Sequence, residues 1–289
     1  MLRKTPRDER GSYESLKRSS RQQTGSFRRK SDKSISRQPG EMIDNTLFCR
    51  YELKYRIGES QAAMIEEFIR PYLDLDYYSQ LKSGGAYAVA GLYLDSPDLQ
   101  LCRETLDGKK NRFKLRVRSY SDDLNAPCFF EIKRRINDVI IKSRAQVRRQ
   151  DVAALLSGRF LPLPNYTNEE ALKQFQLYVS YINARPVVRI RYLRRAYQGD
   201  SHNRVRVTFD REIFYKTTGK PNVSLGGQGW HRIPLNFVVL EIKFTAHYPA
   251  WLSRMVKCLN LQRKAISKYA SSIKQSCSLG YCAPPLLVW

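Results

Sequence analysis

Histidine is nearly absent, at three residues, and the six cysteines (Cys49, Cys102, Cys128, Cys258, Cys277, Cys282) form no C-x-x-C pair and no metal-type spacing with the histidines. This pattern excludes a zinc ribbon or a disulfide scaffold and fits free thiols in a reducing cytosol. No apolar run approaches the roughly 18–20 residues that cross a bilayer, and the N-terminus lacks the apolar stretch of a signal peptide. A soluble, cytoplasmic protein without a transmembrane segment is the expectation. Gly226-Gly227-Gln228-Gly229 lacks the lysine and the strand-to-helix setting of a P-loop, and reads as a connector. Acidic residues are scarce, with 27 Asp+Glu against 51 Lys+Arg, for a net charge of +24.

What is present is enough for a core: 289 residues, 42% hydrophobic and 11% aromatic. Residues 1–40 hold twelve Lys/Arg and four acids, so they carry +8 of the +24 and leave +16 for the rest. The body itself therefore calls for an anionic partner. Residues 1–45 are basic, serine-rich and poor in apolar residues, which predicts a disordered tail available to anionic surfaces. A folded domain over 46–275 and a C-terminal tail over 276–289 complete the expected organisation.

The organising stretch is Arg112-Phe113-Lys114-Leu115-Arg116-Val117-Arg118-Ser119-Tyr120. Side chains of a strand alternate faces with period two, so this stretch presents four cations on one face and apolar residues on the other. The same alternation recurs. Arg50, Glu52, Lys54 and Arg56 share a face, as do Arg204, Arg206, Thr208 and Asp210. Glu131 pairs with Lys133, Lys142 with Arg144, and Glu241 with Lys243. Strands are expected at about 49–57, 87–94, 112–120, 129–134, 139–144, 186–197, 203–211 and 235–245, with a hairpin at Asn137-Asp138.

Intervening helices are expected in six places. One starts at Ser60 with an apolar stripe of Ala63, Met64, Phe68 and Ile69, and one follows Asp95-Ser96-Pro97. One covers 151–156. Another covers 169–182, with Leu172, Phe175, Leu177 and Val179 on its apolar side. Two more cover 249–261 and 264–273. About eight antiparallel strands with helices between them predict an α+β fold. Its core is an eight-stranded antiparallel β tunnel barrel with a basic lumen, covered by helices. The competing arrangement is a two-layer sheet whose charged face meets solvent. A glutamate beside a lysine on one face serves equally as counter-ion or metal ligand, so the alternation leaves both roles open for Glu241, Glu131 and Glu52.

The strings R-Y-E-L-K-Y (Arg50–Tyr55), L-Y-L-D-S-P-D-L (Leu92–Leu99), K-L-R-V-R-S-Y (Lys114–Tyr120) and F-E-I-K-R-R (Phe130–Arg135) occur in order. They are followed by R-V-R-V-T-F-D (Arg204–Asp210), V-L-E-I-K-F (Val239–Phe244) and I-S-K-Y (Ile266–Tyr269). Together they resemble the VTC domain, the polyphosphate polymerase domain of the vacuolar transporter chaperone type, in the triphosphate tunnel metalloenzyme (CYTH-like) superfamily. The resemblance covers about residues 48–273.

It implies an ATP–polyphosphate phosphotransferase, a polyphosphate kinase-like transferase that moves the γ-phosphate of ATP onto a growing inorganic polyphosphate chain with Mn²⁺ or Mg²⁺. Carried over by motif, Lys54, Arg116, Arg118, Lys133, Arg194, Arg206 and Lys268 would be catalytic and bind substrate phosphates. Lys142, Arg144, Tyr192 and Ser267 would join them in substrate binding, and Glu241 and Glu131 would hold the metal. At Arg189–Arg194 the strand parity is open from the residues, and the family places Tyr192 and Arg194 inward. Arg50 stands where the hydrolytic branch has the first glutamate of E-x-E-x-K, which argues against a triphosphatase or adenylyl cyclase. The alternatives are a tripolyphosphatase or nucleoside triphosphatase in the same tunnel, or a non-catalytic polyphosphate-binding module. No specific nucleic-acid partner is expected.

Overall fold

The structure is a computed structural model that describes residues 50–137, 139–159, 161–200, 204–245 and 248–280. In chain order the elements are β1 (Arg50–Ile57), α1 (Glu59–Ile69), β2 (Asp74–Leu75), α2 (Tyr77–Gln80), β3 (Tyr87–Asp95), α3 (Gln100–Leu106), β4 (Asn111–Ser119), β5 (Cys128–Ile136) and β6 (Val139–Val147). There follow α4 (Val152–Leu156), α5 (Glu169–Tyr181), β7 (Arg185–Gln198), β8 (Arg206–Thr217), β9 (His231–Arg232), β10 (Val238–Thr245), α6 (Ala250–Cys258) and α7 (Lys268–Ser278).

All pairings between these strands are antiparallel. The order β7-β3-β4-β5-β6-β1-β10-β8 returns on itself, because β8 also pairs with β7. Seven of the eight joints are zipped over many residues. The eighth, β1–β6, is one pair deep, Arg50 opposite Ile140. The expected α+β architecture is therefore present, but the barrel is not sealed all round: it is a circuit of eight strands with one thin seam. The short strands β2 and β9 extend its edges along β7 and β8.

Alternation sorts the side chains. On β4, Leu115 and Val117 are fully buried outside the circuit, packed with Leu92, Phe130 and Ile132 against Leu155 of α4 and Leu172 and Phe175 of α5. On β1 and β10, Tyr55, Ile57, Leu240 and Ile242 pack against Ile65 and Ile69 of α1 and Leu252 and Met255 of α6. Helices thus cover the apolar outer faces, and the charged faces turn inward. Each fully buried leucine or isoleucine of this shell contributes about 1.5–3 kcal/mol of transfer free energy.

Several local expectations need correcting. The cap of α1 falls at Gly58 and not at Ser60, and its buried stripe is Ala62, Ile65 and Ile69, three and four residues apart on the face that packs on β1, β10 and α6, while Met64 lies off that face and is exposed. On α5, capped by Asn168, Leu177 is exposed: five residues beyond Leu172, it lies well round the helix from the buried Ala171, Leu172 and Phe175. The helix after Asp95 starts later than expected, at Gln100. Asp95 still caps it from a distance, accepting from the Leu101 and Cys102 amides at 2.8 and 2.9 Å. Strand β8 runs on to Thr217, its pairing with β7 shifting register between Arg191 and Leu193. The hairpin holds, with Asn137 at φ 53° between β5 and β6. Cys102 and Cys128 are buried, Cys277 is half-buried and Cys258 is exposed; Cys49, Cys282, the expected N-terminal tail and residues 281–289 lie outside the described residues, whereas residues 276–278 of the expected C-terminal tail are the end of α7. Among the described residues no helix is long and apolar enough to cross a membrane.

Candidate functional site

Three buried acidic centres organise the interior of the circuit. Glu131 on β5 stands opposite Arg116 of β4 and Arg144 of β6. Its Oε2 accepts from Arg116 Nε at 2.5 Å and faces Arg118 Nε at 3.6 Å, while its Oε1 takes Lys142 Nζ and Arg144 at 2.9 Å. Burial raises the carboxyl, but Arg116, Arg118, Lys142 and Arg144 outweigh it and hold Glu131 well below the usual carboxylate range. The expectation that Glu131 is a metal ligand does not suit this geometry. Four cations converge on this single carboxylate, three of them guanidinium groups, and it serves as the counter-ion that lets four basic side chains come together.

Beside this centre lies an aromatic rim. The Tyr120 hydroxyl accepts from Arg118 and Arg144 at 3.2 Å each, and the Arg144 guanidinium lies 4.2 Å over the Phe129 ring. Burial raises the Tyr120 phenol, yet the two guanidinium groups bring it down to about 7. Burial, helped by Arg144 and Arg118 against the opposing pull of Glu131, pushes Lys142 down to about 8. Tyr78 stacks on Tyr120 with ring centroids 6.1 Å apart. Arg206 sits on the same rim, paired with Asp76 at 2.5 Å and Gln198 at 2.8 Å.

The second centre is a pair of carboxylates. Register sets Lys54 opposite Glu241 and Glu52 opposite Lys243, so Glu52 and Glu241 lie diagonally across β1 and β10, within hydrogen-bonding reach of one another. Lys54 Nζ bridges them at 3.3 and 3.5 Å; Lys133 meets Glu52 at 2.7 Å, Lys243 meets Glu241 at 2.8 Å and Arg194 reaches Glu241 at 3.7 Å. Burial raises Glu241, but Lys243, Lys54 and Lys133 keep it anionic. Among the described residues no three His, Cys, Asp or Glu side chains converge on a metal position. Two carboxylates fit a Mg²⁺-type ion that keeps waters and takes substrate phosphate oxygens, and do not fit a closed protein cage.

The third centre is Asp210 on β8. Arg194 of β7 grips it with two bonds of 2.6 and 2.8 Å, and Lys268, the first residue of α7, meets it at 2.6 Å. Burial raises Asp210, and those two cations bring it down to about 2. Arg194 and Lys268 both lie over the Tyr192 ring, at 5.2 and 4.9 Å. The parity left open by the residues is thereby decided. Tyr192 and Arg194 point inward, whereas Arg189 and Arg191 point outward to Ser224, the Leu225 carbonyl and Trp230. Ser267 caps α7, accepting from the Ala270 amide at 3.2 Å, and its Oγ also accepts from Lys114 Nζ at 2.8 Å.

Every basic residue expected at the site thus lies in or at the rim of one interior. Reasoning from sequence passed over Asp210, Lys243, Lys114 and Tyr120 as site groups, although the alternation that selected Lys54 and Arg116 also selects the first three. Among the described residues, ten basic side chains (Lys54, Lys114, Arg116, Arg118, Lys133, Lys142, Arg144, Arg194, Lys243, Lys268) share this interior with four carboxylates, a formal excess of six positive charges. Such an excess is stable only with water and anions near it.

The family model for the VTC domain matches residues 49–277. The chain belongs to the VTC domain family. The match begins at β1 and ends within α7, so the VTC domain takes in all three acidic centres and the rim. A curated relative, vacuolar transporter chaperone complex subunit 4 of Schizosaccharomyces pombe, is 22% identical over 83% of this chain, and the chain spans 39% of that relative's length. Solved structures similar to this VTC domain include a Bacillus halodurans protein described as a candidate adenylate cyclase (13% identity, 76% of this chain and 94% of that one, TM-score 0.47). Another is the PH1819 protein of Pyrococcus horikoshii (10% identity, 78% and 99%, TM-score 0.40).

Proposed function

We propose that this VTC domain is a metal-dependent polyphosphate polymerase, acting within a unit that spans about residues 46–275. The single observation that carries the reading is the uncompensated positive charge enclosed by the strand circuit, in a family whose curated relative belongs to a vacuolar transporter chaperone complex. A triphosphate carries about four charges, and arginine forks with lysine point charges are suited to its oxygens.

In the proposed reaction a terminal oxygen of the polyphosphate chain attacks the γ-phosphorus of ATP. One P–O bond forms, the bond from the γ-phosphorus to the β–γ bridging oxygen breaks, and ADP leaves with that electron pair. Such transfer asks for alignment and charge neutralisation more than for covalent chemistry. Arg116, Arg118, Lys142 and Arg144 neutralise one stretch of the chain; Arg194, Tyr192 and Lys268 hold another; Lys54 and Lys133 lie between, beside the carboxylate pair. Glu241 with Glu52 would hold Mn²⁺ or Mg²⁺, which would supply further neutralisation of the phosphates. Ser267 orients phosphate oxygens from the cap of α7, and Arg206 receives the anion at the rim.

The test is incubation of the purified protein with ATP and Mn²⁺, with products separated by gel and phosphate assay. The expected result is long acid-labile chains plus ADP, reduced at least about 100-fold in Glu241→Gln, equivalent to about 2.7 kcal/mol of barrier. Orthophosphate alone identifies a hydrolase. Intact ATP with tight polyphosphate binding identifies a receptor without catalysis.

A further inference from the structure

Nine of the ten interior cations have a carboxylate within ion-pair distance. Lys114 is the exception among the described residues: its Nζ meets the Ser267 hydroxyl at 2.8 Å and no acid. The groups that face it are Arg112 and Arg116 on its own strand, Lys133 directly opposite on β5, Lys54 of β1, and Ser267 at the start of α7. Burial and these like charges push its ammonium well below the ordinary lysine value.

Its position gives this charge a meaning. The segment Ile266–Tyr269 touches four strands of the circuit. The Ile266 carbonyl accepts from Lys54 of β1 at 3.2 Å, Ser267 accepts from Lys114 of β4, and Lys268 pairs with Asp210 of β8. Tyr269 donates to Asp95 and stacks on Tyr93, both of β3. From Tyr120, one residue past the end of β4, the alternate residues Arg118, Arg116 and Lys114 run from the aromatic rim to this segment. From Arg118 to Lys114 is roughly 13 Å of strand, enough for a few linked phosphates. A chain entering at the rim therefore ends against Lys114.

We propose that Lys114 and Ser267 form the seat of the terminal phosphoryl group of the phosphate chain held in the interior. The proposal rests on the reading that this interior holds phosphate chains. A terminal phosphoryl group carries close to two charges, about twice an internal one, so it gains most from the cation that no carboxylate compensates. Other cations must first be drawn from Glu52, Glu131, Asp210 or Glu241, whereas Lys114 exchanges only a hydroxyl contact. An arriving anion favours the protonated amine. The bound value then lies above the free one, and between the two a proton is taken up on binding and affinity falls as pH rises.

The experiment titrates the full chain calorimetrically with inorganic tripolyphosphate and with cyclic trimetaphosphate, which has no terminal group. It is run over a series of pH values from neutral to alkaline in two buffers of different ionisation enthalpy, with Lys114→Met as the baseline for protons that the probe itself exchanges. Wild type is expected to prefer the linear probe and to take up protons. Lys114→Met is expected to lose at least about tenfold in tripolyphosphate affinity, most of the preference and part of the uptake, while melting no lower than wild type because a buried amine that no carboxylate compensates is gone. Lys114→Arg, charged throughout, keeps the preference with less uptake. A Lys114→Met protein that retains both preference and uptake overturns the seat. Failure of wild type to bind either probe overturns the phosphate-chain reading itself.

Discussion

Replacing Glu131 by glutamine keeps the shape of the side chain but leaves Arg116, Arg118, Lys142 and Arg144 without the carboxylate between them. Breaking a buried ion pair from one side costs about 3–5 kcal/mol, because the remaining charge is stranded. Here four charges are stranded, but each keeps some access to water, with side chains 9 to 25% exposed, so the lower end of that range applies. For a folded unit of this size each kcal/mol moves the melting temperature by about 2–4 °C, and Glu131→Gln is expected to melt roughly 10 °C below wild type. A polyanion should replace the lost charge. Tripolyphosphate is expected to raise the melting temperature of Glu131→Gln by more than it raises that of wild type, saturating ligand at about 100 times Kd being worth about 2.7 kcal/mol. Mn²⁺ should affect wild type and Glu131→Gln alike. A variant as stable as wild type, or one that tripolyphosphate stabilises less, would refute the reading of Glu131 as the interior's counter-ion.

Two further substitutions probe the rim and the α3 cap. Tyr120, brought down to about 7 by Arg118 and Arg144, is expected to give a one-residue tyrosinate absorbance step near neutral pH that is missing in Tyr120→Phe. Its folded value lies below the unfolded value of about 10, so the stability it contributes grows as pH rises above 7 and is lost as pH falls through it. A first phenol titrating only near pH 10 would contradict this. Asp95 accepts from the amides of Ser96, Leu101 and Cys102 and from the Tyr269 hydroxyl, more bonds than one amide oxygen satisfies. Asp95→Asn is expected to cost about 1–3 kcal/mol in denaturant unfolding, less than additively with Tyr269→Phe; full additivity would mean that the two do not act together.

Much of the interior was legible because period-two alternation is local. Once residues 112–118 form a strand, Arg112, Lys114, Arg116 and Arg118 must share a face. The helix stripes were less legible, since α1 carries apolar residues on more than one face and packing against β1, β10 and α6 decides that Ile65 is buried and Met64 is not. Parity at Arg189–Arg194 was not legible at all, because both faces carry arginines and only the pairing with Asp210 and Trp230 separates them.

Composition and alternation by themselves determined that a basic, apolar-backed set of strands exists and that its excess charge calls for an anion. Tertiary structure decided what each charge does. Glu131, Glu52 and Glu241 look alike along the chain, yet four cations surround the first, while the other two lie within reach of each other across a strand pair. Among the described residues Lys133 meets Glu52 of another strand, whereas Lys114 meets the Ser267 hydroxyl and no acid. Electrostatic roles depend on distances of a few ångströms between residues up to more than two hundred positions apart, and those distances are set by register and closure of the circuit.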